Sequence, residues 1–214
     1  CLAALAPHWQ RALAEAEAHN AREQGTRRGI GVASCWYGCG NTSMPNPSTI
    51  KAGIKSNGDL VLHQGATEIG QGANTVIAQI FADAARLPLA QIRLVGPDTA
   101  VTPDAGKTSA SRQTFVSGKA AEKTGRALRA AVLRHANASE AAGIEIVGNI
   151  IVVREGAIVR EIPLARLPAD TENFVLLAEE TYDPPTTRLD ANGQGVPYAT
   201  YGFAAQMAEV EVDT

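Results

Sequence analysis

The sequence predicts an α+β fold in which β-hairpins carry two long helices packed on mixed sheets. Three observations point there. Asn57-Gly58 separates two strand-like stretches, residues 49–54 and 59–63, and this dipeptide is a strong short-range hairpin signal. Apolar residues recur at helical spacing over 73–87 and again from about 111 to 135. After Gly143 the pattern changes to short β-branched runs at 144–147, 150–153 and 157–159.

Taken in order, Leu2, Leu5, Trp9, Ala12, Leu13 and Ala16 share one helical face, with Pro7 near the start and Gly25 as the expected stop. A glycine-rich extended segment, 29–34, follows. Trp36 and Tyr37 lie between Gly38 and that segment, where an aromatic pair serves either a core or a pocket wall. Residues 41–48 form a loop rich in Asn, Ser and Pro. The hairpin then delivers a glycine loop, Gly65-Ala66-Thr67-Glu68-Ile69-Gly70-Gln71-Gly72, into the first long helix. Val76, Ile77, Ile80, Phe81, Ala84 and Leu87 make the buried face of that helix, and Pro88 stops it. A short strand is expected at 92–95. The second long helix has Ser109 or Ser111 as N-cap and a narrow small-residue face of Ala120, Thr124, Ala127, Leu128, Ala131 and Val132. Residues 162–167 read as a helical turn ended by Pro168, 174–181 as a strand, 184–195 as a loop and 201–212 as the last strand. A soft boundary near Gly143 divides the chain into 1–142, with both loops, and a strand-rich 143–214.

Composition excludes several classes. A formal net charge of −3 gives no footprint for nucleic acid. No apolar run reaches the roughly 18 residues of a membrane span. The three cysteines, Cys1, Cys35 and Cys39, make no even framework, and Cys35-x3-Cys39 is half of any four-ligand metal set. Reduced thiols suit a reducing compartment, so a cytoplasmic location is expected, without excluding the periplasm. The four histidines, His8, His19, His63 and His135, show no metal spacing. The chain opens on Cys1 inside a helical pattern and stops just after a strand, so both ends look truncated.

The glycine loop carries the chemistry. Strand, glycine turn and helix bring bare N–H groups and a positive dipole end toward an anion. It is not a P-loop, because Gln71 and Gly72 stand where Lys and a hydroxyl residue belong, and not a dinucleotide turn, because Thr75 replaces the third glycine. Glu68 would repel a phosphate unless turned away, and the expectation is that it accepts loop N–H groups. A second stretch, 102–114, again places hydroxyls and Arg112 at a helix start. Asp98 and Asp104 read as turn formers.

From Gly65 to Ala127 the chain resembles the molybdopterin-binding large subunit of the xanthine dehydrogenase and aldehyde oxidase family. The resemblance rests on Gly-Ala-Thr-Glu-Ile-Gly-Gln-Gly (65–72), Ile-Arg-Leu-Val (92–95) and Lys-Thr-Ser-Ala-Ser-Arg-Gln-Thr (107–114) with Gly118. Cys35-Trp36-Tyr37-Gly38 and 201–213 follow in the same order. It implies a molybdenum-cofactor-binding domain, an internal fragment of an oxidoreductase that hydroxylates an aldehyde or N-heterocycle with oxygen from water. The cofactor would be a molybdenum pyranopterin (molybdopterin), extended in some relatives to a cytosine dinucleotide. Iron–sulfur clusters and flavin would sit on partner domains or subunits, and the rest of the molybdenum subunit would be a partner. By resemblance Gly70, Gln71 and Gly72 approach the molybdenum end. Thr108, Ala110, Ser111, Arg112 and Gln113 would hold the pterin or its phosphates, with the Arg112 guanidinium forking onto phosphate oxygens. Tyr37 would face the substrate. The family's glutamate base belongs to a later motif, so no catalytic residue is expected in this chain, and the isolated piece should not turn over. The reading of a different class is a scaffold or assembly domain that has the fold and lacks the cofactor.

Overall fold

The computed structural model describes residues 1–22, 25–38, 44–196 and 201–214. The chain clusters into two compact units, Cys1–Cys39 with Ala199–Thr214, and Gly40–Tyr198.

In the first unit, helix α1 (Leu2–Asn20) accompanies a two-stranded antiparallel ribbon, β1 (Thr26–Gly38) and β9 (Tyr201–Asp213). The ribbon is in unbroken register from Thr26↔Asp213 to Gly38↔Tyr201. The helix ends at Asn20, earlier than Gly25, because Asn20 is used elsewhere: its side chain accepts from the Arg28 N–H (2.8 Å) and donates to the Arg28 carbonyl (2.9 Å). Ala12 and Ala16 are its buried hydrophobics. Trp36 and Tyr37 are strand residues but not core ones, and Trp36 is 76% exposed. Cys1 and Cys35 are exposed thiols, while Cys39 lies outside the described residues, as does part of the 41–48 loop.

The second unit holds the core. Strands β2 (Ser48–Lys55), β3 (Leu60–Gln64), β4 (Ile92–Val95) and β8 (Phe174–Tyr182) form one mixed sheet in the order β4-β3-β2-β8. The β2–β3 hairpin turns at Asn57-Gly58, where Gly58 takes the positive φ (+91°) that the turn needs. Helix α2 (Ala73–Ala85) is the crossover between the parallel strands β3 and β4. It stops at Arg86 in the left-handed region, with the Leu87 N–H donating back to the Ala82 carbonyl, a Schellman closure two residues ahead of Pro88. Helix α3 (Gln113–Ala136) packs on α2 and across β2 and β8. Phe81, Ile77, Leu128, Ile50, Ile54 and Leu62 are at or below 1% exposure in this layer. Strands β5 (Gly143–Val147), β6 (Ile150–Glu155) and β7 (Ile158–Pro163) make an antiparallel meander whose Ile144, Ile151 and Val153 join the same core. The position 143, where the sequence pattern changes, thus falls inside the second unit. No helix among the described residues is long and apolar enough to cross a membrane.

Candidate functional site

Both loops emerge beside the parallel pair β3–β4, and they touch. A Cβ on Gly65 would sit 2.3 Å from the Pro103 carbonyl oxygen, so any larger residue there forces the loops apart. Thr108 Oγ1 donates to the Thr67 carbonyl (3.0 Å), and the Thr49 N–H donates to the Asp104 carbonyl (3.0 Å). A cleft of about 330 Å³ opens between them, lined by Gly65, Thr67, Asp98, Thr102 and Asp104 among others. Ligands in open α/β arrangements collect beyond the carboxyl ends of parallel strands, which is where this cleft lies.

The first loop is organised by its own side chains. Buried Gln64, the last residue of β3, accepts from the Ala66 N–H (2.7 Å), donates to the Ala66 carbonyl (3.1 Å) and bonds Asn74. Glu68 accepts from the N–H groups of Gly70 (2.9 Å), Gly72 (2.9 Å) and Asn74 (3.1 Å). These bonds, those from Asn74 and Gly72 foremost, hold its carboxyl below the usual carboxylate range. Glu68 is therefore the anion at the start of α2, as its expected turn-fixing role requires. A phosphate is not accommodated on those same donors, and this corrects the expectation of an anion guest there. Gln71 is exposed, but its amide is engaged: it accepts from the Ile69 N–H (2.7 Å) and donates to the Thr67 carbonyl (3.1 Å). Gly70 and Gly72 have positive φ (+99° and +82°) and open space where a side chain would be.

The second loop ends in a tight turn. Ala110 and Ser111 both have positive φ (+53° and +51°), and the Arg112 N–H closes the turn on the Ser109 carbonyl (3.3 Å). Consecutive left-handed non-glycine residues are strained by about 1–3 kcal/mol each and persist where surrounding structure imposes them. Arg112 supplies that structure. Its side chain is fully buried, and the guanidinium donates to the carbonyls of Ala105 (2.5 Å), Lys107 (3.1 Å), Asn46 (2.7 Å) and Pro47 (2.9 Å). The guanidinium thus points into the loop, not outward as a phosphate fork; the loop carbonyls, which sequence spacing does not reveal, compete for it. Gln113, also buried, donates to the Lys107 carbonyl (3.1 Å) and accepts from Ser117, which in turn bonds Ser48 (2.7 Å) on β2. Neither Ser109 nor Ser111 caps α3; its N-cap is Arg112, with no side-chain bond to the helix. Asp98 and Asp104 accept from the N–H groups two residues on, Ala100 (2.9 Å) and Gly106 (2.7 Å), as turn formers do.

The supports that sequence reasoning missed are Gln64, Asn74 and the inward role of Arg112. Gln64 carried a signal: a polar residue closing an apolar strand directly before a glycine loop. Among the described residues no group of three or more His, Cys, Asp or Glu side chains converges on a metal position.

What remains outward at the site is backbone and hydroxyl: the strained turn at 109–111, with exposed Ser109 and Ser111, and the glycine edge at 70–72. Among the described residues the N–H groups of Ala110 and Ser111 enter no hydrogen bond. That set presents hydrogen-bond donors to a polar group.

Fold and site together define an α+β domain that carries two braced, touching loops beyond the ends of a parallel strand pair. The chain belongs to the molybdopterin cofactor-binding domain family, whose model matches residues 3–214. It is similar to the putative xanthine dehydrogenase molybdenum-binding subunit of Escherichia coli, 35% identical over 132 residues, 60% of this chain and 17% of that protein. It is also similar to the aldehyde oxidoreductase of Megalodesulfovibrio gigas, 28% identical over 98% of this chain and 21% of that one. The aldehyde oxidoreductase structure from Desulfovibrio desulfuricans shares the fold over 98% of this chain and 20% of its own, with a TM-score of 0.70 at 22% identity. The CO dehydrogenase structure from Oligotropha carboxidovorans does so over 99% and 27%, at 0.64 and 21%. The chain thus spans about a fifth of the length of these curated relatives.

Proposed function

We propose that the chain is the cofactor-holding part of a molybdenum hydroxylase large subunit, acting on an aldehyde or N-heterocycle with water as the oxygen source. The observation that carries the reading is the turn at Ala110-Ser111, strained, braced by Arg112 and tied to the glycine loop through Thr108. In this proposal Gly70, Gln71 and Gly72 approach the molybdenum end, and Ala110 and Ser111 donate to the pterin or its phosphates; Thr108, whose hydroxyl is given to the Thr67 carbonyl, does so through its backbone N–H. Arg112 and Gln113 serve the cofactor by fixing the backbone that meets it. A bound molybdenum pterin supplies the two-electron oxidation chemistry that no side chain can. The protein's part is to bind, orient and keep bulk water from the reacting centre. A cytosine dinucleotide extension, iron–sulfur and flavin partners, and Tyr37 as a substrate-facing aromatic belong to the same proposal. Tyr37 is 43% exposed on β1.

The test is the molybdenum and pterin content of the full-length protein carrying Thr108→Val or Gln71→Ala. Thr108→Val loses the bond that ties the loops and Gln71→Ala the two that shape the first loop, each worth about 1 kcal/mol, so each variant should retain cofactor at least about fivefold less well on dilution. Unchanged occupancy in both would place the cofactor elsewhere, and wild-type protein without molybdenum would favour the scaffold reading.

A further inference from the structure

A second cavity shares no residue with the two loops. It measures about 510 Å³ and lies between the C-terminal end of α2 and the middle of α3, lined by Asp83, Ala84, Arg86, Arg126, Arg129 and Glu140 among others. Its volume is in the range that takes small organic ligands. Arg129 is the unusual member, 5% exposed despite its charge. Its Nη2 donates to the carbonyls of Ala142 (2.6 Å) and Glu140 (2.9 Å). Arg86 Nη1 reaches the same Glu140 carbonyl (3.4 Å), so two guanidinium groups converge on one oxygen. Burial first, and then the Arg86 charge, disfavour the Arg129 cation.

Asp83 also lines the cavity, but among the described residues Glu140 is the one carboxylate within 4.0 Å of Arg129, and it does not match this demand. Glu140 comes no nearer to Arg129 Nε than 3.7 Å, and its side chain is 78% exposed. At the rim Arg126 is already paired with Glu122 (2.6 Å). Arg129 Nε and Nη1 are buried and have no hydrogen-bond partner among the described residues. Unpaired buried donors on a cation are costly, and native structures fill such positions with an ion or a water.

We propose that this cavity is an oxyanion site, taking a small ligand through a phosphate or carboxylate group that pairs with Arg129 and Arg86. Glu140, exposed and held at long range, is the group the anion displaces. The site is independent of the cofactor loops.

The experiment is calorimetric titration of the full-length protein with inorganic phosphate, and separately with acetate, at constant ionic strength. Saturable binding of at least one is expected. Arg86→Gln should weaken it about tenfold, the worth of one charge-assisted hydrogen bond. Glu140→Gln should tighten it by removing the competing carboxylate. Thr108→Val, which touches only the loops, should leave it unchanged. Arg129 itself is not the test residue, because it also holds two carbonyls. Binding by acetate alone would assign a carboxylate ligand, and by phosphate alone a phosphate. No saturable binding of either anion, equal binding by Arg86→Gln, or loss on Thr108→Val would overturn the proposal.

Discussion

Arg112 illustrates what a residue type does not disclose. At a helix start beside serines it resembles a phosphate fork, yet its two terminal nitrogens reach four carbonyls from two segments of chain, 105–107 and 46–47. Removing a buried cation that satisfies four acceptors leaves those acceptors dry, so Arg112→Ala should cost about 3–4 kcal/mol, at the upper end for a point change. Arg112→Lys should recover only a part, since a point charge does not reproduce the planar fork. Urea unfolding of the apoprotein measures both, and a loss under 1 kcal/mol for the alanine variant would contradict the bracing role.

Glu68 gives the residue-scale dependence on pH. Its carboxyl is held low by the loop N–H groups of Asn74, Gly72 and Gly70. A carboxyl lowered in the folded state binds fewer protons there than in the unfolded chain. Its stabilisation is therefore full above the unfolded value, about 4.3, and is lost as pH falls through the folded one. Glu68→Gln should melt lower than wild type at neutral pH, and the gap should close as the pH drops below about 4. A gap independent of pH would mean that the carboxylate charge is not what fixes the loop.

At the scale of elements, the hairpin, both long helices and the final strand are legible in the sequence because each rests on local chemistry. Asn57-Gly58 sets the turn, and periodicity sets the helices. What is not legible is whatever depends on distant carbonyls. The end of α1 is set by the Asn20 side chain bonding Arg28, and the start of α3 by Arg112 turning inward rather than by a serine cap. The small-residue face of α3 is visible in sequence, but which glycine it depends on is not. A Cβ on Gly125 would meet the Phe81 carbonyl oxygen at 2.8 Å and the Ala85 nitrogen at 3.0 Å, both backbone atoms of α2. One on Gly118 meets only the Ile80 Cδ1 at 2.8 Å, the end of a flexible side chain. Alanine gains about 1 kcal/mol of helix propensity over glycine at either site. Overpacking costs about 1–3 kcal/mol where the neighbour cannot move. Gly125→Ala should therefore destabilise by up to about 2 kcal/mol net, and Gly118→Ala should be neutral or mildly stabilising. Thermal melts of the pair decide it, and equal effects would show that α2 and α3 are free to separate.

At the scale of the molecule, stability is divided unequally between the two units. In the first, among the described residues, Ala12 and Ala16 are the buried hydrophobics, while Val32, Trp36, Phe203, Val210 and Val212 are all about half exposed or more. The ribbon β1–β9 is long and well registered and α1 packs on it, but most of its apolar side chains stay exposed, and a two-stranded ribbon that buries so little is marginal in water. The second unit buries Phe81, Leu128 and a run of aliphatic residues on β2, β3, α2 and α3 at nearly zero exposure. Apolar burial contributes about 25 cal/mol per Å², so the second unit carries most of the driving force. Native-state hydrogen exchange on this chain alone should then show ribbon amides at 27–37 and 202–212 opening at small free energies. Amides of β2, β3 and α3 should exchange only at the global limit. A mild protease should likewise cut within the first unit first. Equal protection of β1 and β3 would mean that the ribbon draws its stability from contacts beyond its own unit, and the division into a robust core and a dependent ribbon would have to be given up.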